Sequence, residues 1–260
     1  MKAELIVLGT GSSVGVPVVG CQCPVCKSND PKNKRLRPSV VLKISGKNIL
    51  IDAGPDFREQ ALRENITDVA AVLLTHLHFD HIMGMDDLKT LSHQKGHPMD
   101  CYLAESHYDE FKTRFYYLFE GVNSVKTLSQ FFTPHLLEED SGSRAIFDFT
   151  LHYFSYFQKG VKVNGFRIGD LSYVTDLKDF SNKIFEELKG TKILFLNMLR
   201  LEAALGHLGL EDVVEIVEKV RPEKCYLTHI SHAVDHQNVS KLLPKGIFLA
   251  YDGMKLAFEV

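Results

Sequence analysis

Thr75-His76-Leu77-His78-Phe79-Asp80-His81 follows directly on the apolar run Val69-Ala70-Ala71-Val72-Leu73-Leu74. An unbroken apolar run of this length reads as a strand buried on both faces. Its C-terminal tip then delivers three imidazoles and a carboxylate within a few residues. Imidazole nitrogen and carboxylate oxygen are the donors that zinc, manganese and iron take. Four such groups this close cannot all serve one ion comfortably, so the spacing points to two adjacent metals. The alternative is a polar loop with chance histidines, in a chain that holds 12 of them. The strand context and the Asp80-His81 doublet argue against it.

Working outward, the 260 residues suffice for a sizeable core, and 45% hydrophobic with 24% charged residues is ordinary for a soluble globular protein. A net charge of −3 gives no global pull towards nucleic acid or anionic membrane. No stretch has the apolar length of a membrane span. Met1-Lys2-Ala3-Glu4-Leu5-Ile6-Val7-Leu8 carries an acid and too short an apolar core for a signal peptide, and reads as a first strand. The cysteines number five, three of them in Cys21-Gln22-Cys23-Pro24-Val25-Cys26, a poor plan for disulfides. The expectation is a cytoplasmic chain with reduced or metal-bound thiols.

Strand-type and helix-type patterns alternate along the chain without a linker. Strands are expected near 3–8, 39–45, 48–52, 69–75, 146–157, 163–169, 172–175, 192–197, 223–228, 247–251 and 254–259. Helices are expected after Pro55, near Gly84, at 181–189 and at 210–220. An aromatic helical insertion is expected near 105–145, turning irregular around Thr133-Pro134-His135. Strand-rich halves separated by that insertion predict an α/β sandwich in one domain over 1–260, two mixed sheets face to face with outer helices.

His76-x-His78-x-Asp80-His81, with Ile51-Asp52-Ala53-Gly54 upstream and Tyr173-Val174-Thr175-Asp176 and Tyr226-Leu227-Thr228-His229 downstream, resembles the metallo-β-lactamase superfamily of di-metal hydrolases, whose fold is the αββα sandwich. Gly9-Thr10-Gly11-Ser12, Gly54-Pro55-Asp56-Phe57-Arg58, the cysteine run and Thr228-His229-Ile230-Ser231-His232 look like the branch holding the cyclic-phosphate phosphodiesterase of the carbon–phosphorus lyase pathway. The tRNA 3′-processing nucleases are more distant relatives. The resemblance implies that His76 and His78 bind one metal, that Asp80, His81 and His229 bind the other, and that Asp176 bridges them. Two such cations share a hydroxide, lower its pKa and clamp a phosphoryl group for attack. Asp52 is a candidate to orient an imidazole. The family's remaining histidine for the first metal falls at Gln158, a weaker donor, so that site is expected to be weak. His152, about 20 Å away along an extended strand, is a poor substitute.

The resemblance further makes His207 the acid that protonates the leaving oxygen and Asp80 the residue that orients the nucleophile. Arg200, Arg58 and Lys159 are candidate phosphate contacts, with surface or structural pairing the commoner fate of such residues. Cys21, Cys23 and Cys26 are one ligand short of a structural zinc site, and the family match completes it with His232. Cys101 and Cys225 read as inert core residues, and the run Lys32-Asn33-Lys34-Arg35-Leu36-Arg37 as a solvated loop.

The leading expectation is a metal-dependent phosphodiesterase for a small, cyclic phosphodiester, using two zinc or manganese ions beside one structural zinc. Relatives imply a homodimer, and no membrane partner is expected. Two alternatives remain: a tRNA-processing nuclease, which needs a basic arm beyond residues 32–37, and a non-catalytic metal-binding module with a degraded first site.

Overall fold

The computed structural model describes residues 1–119 and 130–260. Its first sheet contains β1 (Lys2–Gly9), β2 (Ser39–Ile44), β3 (Lys47–Ile51), β4 (Ala71–Leu73), β5 (Met99–Ala104) and β6 (Phe132–Leu137). The second contains β7 (Ser141–Ile146), β8 (Phe149–Gln158), β9 (Val161–Ile168), β10 (Leu171–Val174), β11 (Ile193–Asn197), β12 (Lys224–Thr228) and β13 (Ile247–Leu249). The last strand, β14 (Lys255–Glu259), returns to the first sheet beside β1. The orders are β14-β1-β2-β3-β4-β5-β6 and β13-β12-β11-β10-β9-β8-β7. Strands β3 to β6 run parallel, as do β10 to β13, and the other pairings are antiparallel.

The short β4 shows why the apolar run had to be a strand. Ala71 and Leu73 face the second sheet, in a core with Leu5, Ile51, Phe166, Tyr173 and Phe195. Val72 faces outward, into a second core under the helices. That outer layer holds α2 (Phe57–Arg63), α3 (Phe79–Ile82), α4 (Met85–Lys95), α5 (Tyr108–Arg114) and α6 (Tyr116–Phe119), whereas the short α1 (Pro24–Lys27) packs apart from it with Val16 and Cys21. Phe57 from α2, Met85 and Leu88 from α4 and Phe111 from α5 pack there with Ile6, Leu50 and Val72. Across the sandwich lie α7 (Lys183–Glu187), α8 (Leu210–Val220) and α9 (His236–Ser240). Val213 and Ile216 of α8 cover Leu194 and Leu196 of β11. The αββα architecture expected from the pattern is the one observed.

The insertion near 105–145 is different from its expectation. Helix occupies 105–119, including a 3₁₀ turn at Glu105–His107, whereas 132–137 and 141–146 are strands. The part of the expected insertion at 120–129 lies outside the described residues. Pro134 lacks a ladder donor and signals irregular backbone from sequence alone. Strand β6, however, closes the edge of its sheet, where a proline is tolerated. Aromatic spacing in the flanking segment then extends the apparent helix over a strand that pairs in register with β5, Pro134 opposite Cys101.

Candidate metal centre

The parallel strands of both sheets point their C-terminal ends at one place, the position where α/β sheets carry their sites. Asp52 follows β3, Thr75 and His76 follow β4, Asp176 follows β10, and His229 follows β12. Asp52, Asp176 and His229 all have left-handed backbone, with φ of 60°, 57° and 59°. A strand that ends in such a kink turns its next side chain sharply out of the pleat. Non-glycine residues hold this conformation at a cost of order 1–3 kcal/mol, which surrounding contacts must offset.

Those contacts are present around Asp52, which is fully buried. One oxygen accepts from the Thr75 backbone N–H at 2.8 Å, and the other accepts from Thr75 Oγ1 at 2.8 Å. That second oxygen also lies 2.7 Å from His81 Nδ1. A carboxylate on Nδ1 fixes the ring and leaves Nε2 as the free face. Among the described residues His81 Nε2 is buried without a hydrogen-bond partner. It lies 3.3 Å from Asp80 Oδ2 and 3.2 Å from Asp176 Oδ2. His229 Nε2 lies 3.3 Å from the same Asp80 oxygen and 3.3 Å from Asp176 Oδ1. Donors at about 2.0–2.1 Å from a tetrahedral ion stand about 3.3 Å apart. Asp80, His81 and His229 thus form one set that could hold a divalent ion, and Asp176, with one oxygen toward each imidazole, adjoins it and forms a further set with His76 and His81.

The charges agree with this. Burial pulls the His81 pKa down, but Asp80 and Asp52 outweigh it and hold it well above the ordinary histidine range. His229 is raised in the same way by Asp176 and Asp80. Asp176 is held well below the carboxylate range, against its burial, by His229 and His81, and Asp80 is lowered too, chiefly by His81. Protons on two imidazoles supply positive charge among three buried acids, a charge that a cation replaces.

The neighbouring pair is unlike this cluster. His76 Nε2 and His78 Nδ1 are 2.8 Å apart, at hydrogen-bonding distance. Burial, with His81 nearby, drives the His76 pKa well below its ordinary value, and burial lowers His78. Gln158 ends β8, where the Lys159-Gly160 turn with φ of 49° and 81° folds the chain back into β9. Its amide reaches Asp176 Oδ1 at 2.6 Å and the Gly206 carbonyl at 3.3 Å. His207 stands beside it, stacked on His229 with ring centroids 5.0 Å apart and Nδ1 at 3.9 Å from Asp176 Oδ1. Burial, then His229, lowers the His207 pKa to about 4. Lys159 packs its stem over Gly206, beside that ring. Arg58 and Arg200 are exposed, and His152 is engaged with Glu187 at 2.6 Å, away from the cluster.

A second donor set sits in the N-terminal loop. His232 Nδ1 lies 3.3, 3.6 and 3.5 Å from the sulfurs of Cys21, Cys23 and Cys26. Nitrogen and sulfur on a tetrahedral zinc stand about 3.6 Å apart. The Cys26 N–H donates to Cys23 Sγ, and this is the chief reason the Cys23 thiol falls to about 6, while burial pushes Cys26 up. Thiolate character at Cys23 is what a metal needs. Cys101 and Cys225 are buried in the core as expected.

The basic run 32–37 corrects its expectation as a solvated loop, because Arg35 is 1% exposed. Its guanidinium donates to the carbonyls of Ser231 at 2.9 Å and Val234 at 2.8 Å, and to Asn33 at 3.0 Å. Asn33 in turn donates to Asp235 and accepts from the His236 backbone. This clamp ties the loop beyond His229 to the N-terminal loop. Nothing in a Lys/Arg run distinguishes the one guanidinium that is internal.

A family model described as the Beta-lactamase superfamily domain matches residues 47–230. A solved diphosphatase from the PhnP family is similar at 39% identity, with a TM-score of 0.91 over 99% of this chain and 98% of that one. A curated octanoyltransferase of Porphyromonas gingivalis is 34% identical over 98% of this chain and 51% of its own length. Ribonuclease Z of Methanopyrus kandleri is 35% identical over 35% of this chain and 28% of its own. The chain thus spans about half the length of the first curated relative and less of the second. Architecture, donor clusters and these likenesses agree, and the chain belongs to the metallo-β-lactamase superfamily, in which it is PhnP-like.

Proposed function

We propose that this chain is a phosphodiesterase acting on a small, cyclic phosphodiester, with Asp80, His81, Asp176 and His229 as the residues that hold its catalytic ion. The observation that carries the reading is the 3.2–3.3 Å spacing of Asp80 and Asp176 oxygens from the His81 and His229 Nε2 atoms. Zinc or manganese held there would supply a water of lowered pKa and positive charge against phosphoryl oxygens. Asp52 keeps the His81 ring in one tautomer. The Asp80 carboxylate, facing both His81 and His229, orients the attacking oxygen. His207 stands on the same cluster; when the anionic diester binds it takes up a proton from solvent, and as the imidazolium it gives that proton to the departing alkoxide and returns to the neutral ring. The Cys21-Cys23-Cys26-His232 set would hold a structural zinc.

The likeness to a PhnP-family diphosphatase supports phosphorus as the electrophile. The ribonuclease reading has less support: the chain is acidic overall, and the basic run spends Arg35 on internal carbonyls. Turnover of a cyclic phosphodiester, a linear aryl phosphodiester, an organic diphosphate and a precursor tRNA should be measured with zinc or manganese added. We expect the cyclic diester to be cleaved fastest, and His207→Ala to lower its kcat by roughly 10²–10⁴-fold. Asp80→Asn should abolish turnover. Failure to cleave either diester with any divalent metal would overturn the proposal.

A further inference from the structure

We infer that Gln158 is a hydrogen-bond bridge standing where a metal ligand would be, so that this chain holds one ion firmly in the histidine centre and positions its catalytic groups with an amide. The inference rests on the metal-dependent reading of the same site.

Three observations carry it. Gln158 Nε2 faces Asp176 Oδ1 at 2.6 Å and the Gly206 carbonyl at 3.3 Å. An ionised carboxylate and a carbonyl only accept, so the amide must present its NH₂ to both. The reversed amide would set its oxygen against two oxygens in a buried pocket, since Gln158 is 5% exposed. Amide nitrogen is no metal ligand, and the carbonyl oxygen that could serve is the atom turned from Asp176.

The second observation is the His76–His78 contact. Two imidazole nitrogens on one tetrahedral ion stand about 3.3 Å apart, whereas these stand at 2.8 Å. One of them donates to the other, so an ion between them would have to displace that proton and draw the two nitrogens apart. By contrast Asp80 Oδ2 stands 3.3 Å from both His81 and His229, while His76 joins only the looser set with His81 and Asp176, whose donors lie within 4.8 Å of one another.

The third observation is where the amide leads. Its second hydrogen points to the turn Ala204-Leu205-Gly206-His207, closed by backbone bonds between Ala204 and His207. His207 Nδ1 is 3.5 Å from the same nitrogen. One side chain thus joins the carboxylate on the ion to the loop that bears the acid. Gln158 is a positioning residue: it orients Asp176 and sets the place of His207.

Zinc counting tests this without turnover. The stripped protein, reloaded with excess zinc and desalted, should carry two ions per chain, and one when Cys21 and Cys26 are changed to serine. Gln158→Ala should leave the count unchanged, and Gln158→His should raise it by one. Kinetically, Gln158→Ala should cut kcat at least tenfold with KM within twofold. Three ions in the unaltered protein, or a count that falls in Gln158→Ala, would overturn the inference. So would an unchanged count in Gln158→His, or an unchanged kcat in Gln158→Ala. No ion in the histidine centre at all would remove the metal-dependent reading itself, a result distinct from a surplus ion.

Discussion

His81 touches two carboxylates with opposite tasks: Asp52 holds its ring from behind, while Asp80 faces it across the ion position. Without metal the raised pKa values of His81 and His229 mean that protonation stabilises the folded state. A histidine whose folded pKa exceeds its unfolded value near 6.5 stabilises fully below that value, and loses the contribution as pH rises through the folded pKa. Stripped protein should therefore lose Tm as pH climbs above about 6.5, while the Tm gain on adding zinc grows. Asp80 and Asp176, with lowered pKa, stay ionised throughout this window. Calorimetry in buffers of different ionisation enthalpy should register protons released by zinc. A zinc affinity independent of pH between 6 and 8 would contradict the assignment of His81 and His229. At this scale the sequence is uneven. The His76–His81 cluster is legible because its donors are neighbours on a strand tip. Asp176 and His229 are single residues after apolar strands, and only the family likeness lifts them from the background. Arg35 carries no signal, since a buried guanidinium and a solvated one are spelt alike.

Strands and loops convert these residues into a site through their ends. The kinks at Asp52, Asp176 and His229 form where parallel strands stop, so the strand lengths decide which side chains meet. Hydrophobic runs reveal such strands well, and β1, β3, β11 and β12 lie close to their expected positions. Strands β6 and β7 are hidden because they hold Pro134 and a polar Ser141-Gly142-Ser143-Arg144 stretch, tolerable at sheet edges. The Arg35 clamp acts between elements, fastening the segment after β12 to the cysteine loop. Arg35→Ala leaves two carbonyls unpaired, at about 1–3 kcal/mol each when buried. Urea unfolding of the zinc-loaded protein should show a loss of about 2–6 kcal/mol. A chelating dye should also draw zinc faster from the Cys21-Cys23-Cys26-His232 site. Unchanged stability and release rate would show that the clamp is redundant.

Across the whole molecule, each sheet contributes half of the donor set. Asp80 and His81 come from α3, which follows β4 of the first sheet, Asp176 and His229 from the strand ends of the second, and Asp80 meets His229 across 149 residues of chain. The alternation that places Leu73 and Phe166 in one inner core is visible in sequence, and it brings the sheets together. It does not set the relative height of their ends, which decides whether Nε2 and Oδ2 stand at bonding or ion-holding distance. That height comes from the packing of both layers at once, and no local pattern encodes it.

The chain passes from one sheet to the other through the exposed Glu138-Glu139-Asp140. A protease site inserted between Glu138 and Glu139 would let the covalent thread be cut in the folded protein. What then joins the halves is apolar contact, the β1–β14 ladder, the Arg35 clamp and whatever metal the two donor sets hold, and of these only the metal can be withdrawn at will. The nicked, zinc-loaded protein should stay together through gel filtration in mild urea and part once chelator is added. Equal retention with and without chelator would contradict this. Metal in such an arrangement is a removable suture: besides its chemistry, it reports that both halves of the chain have arrived.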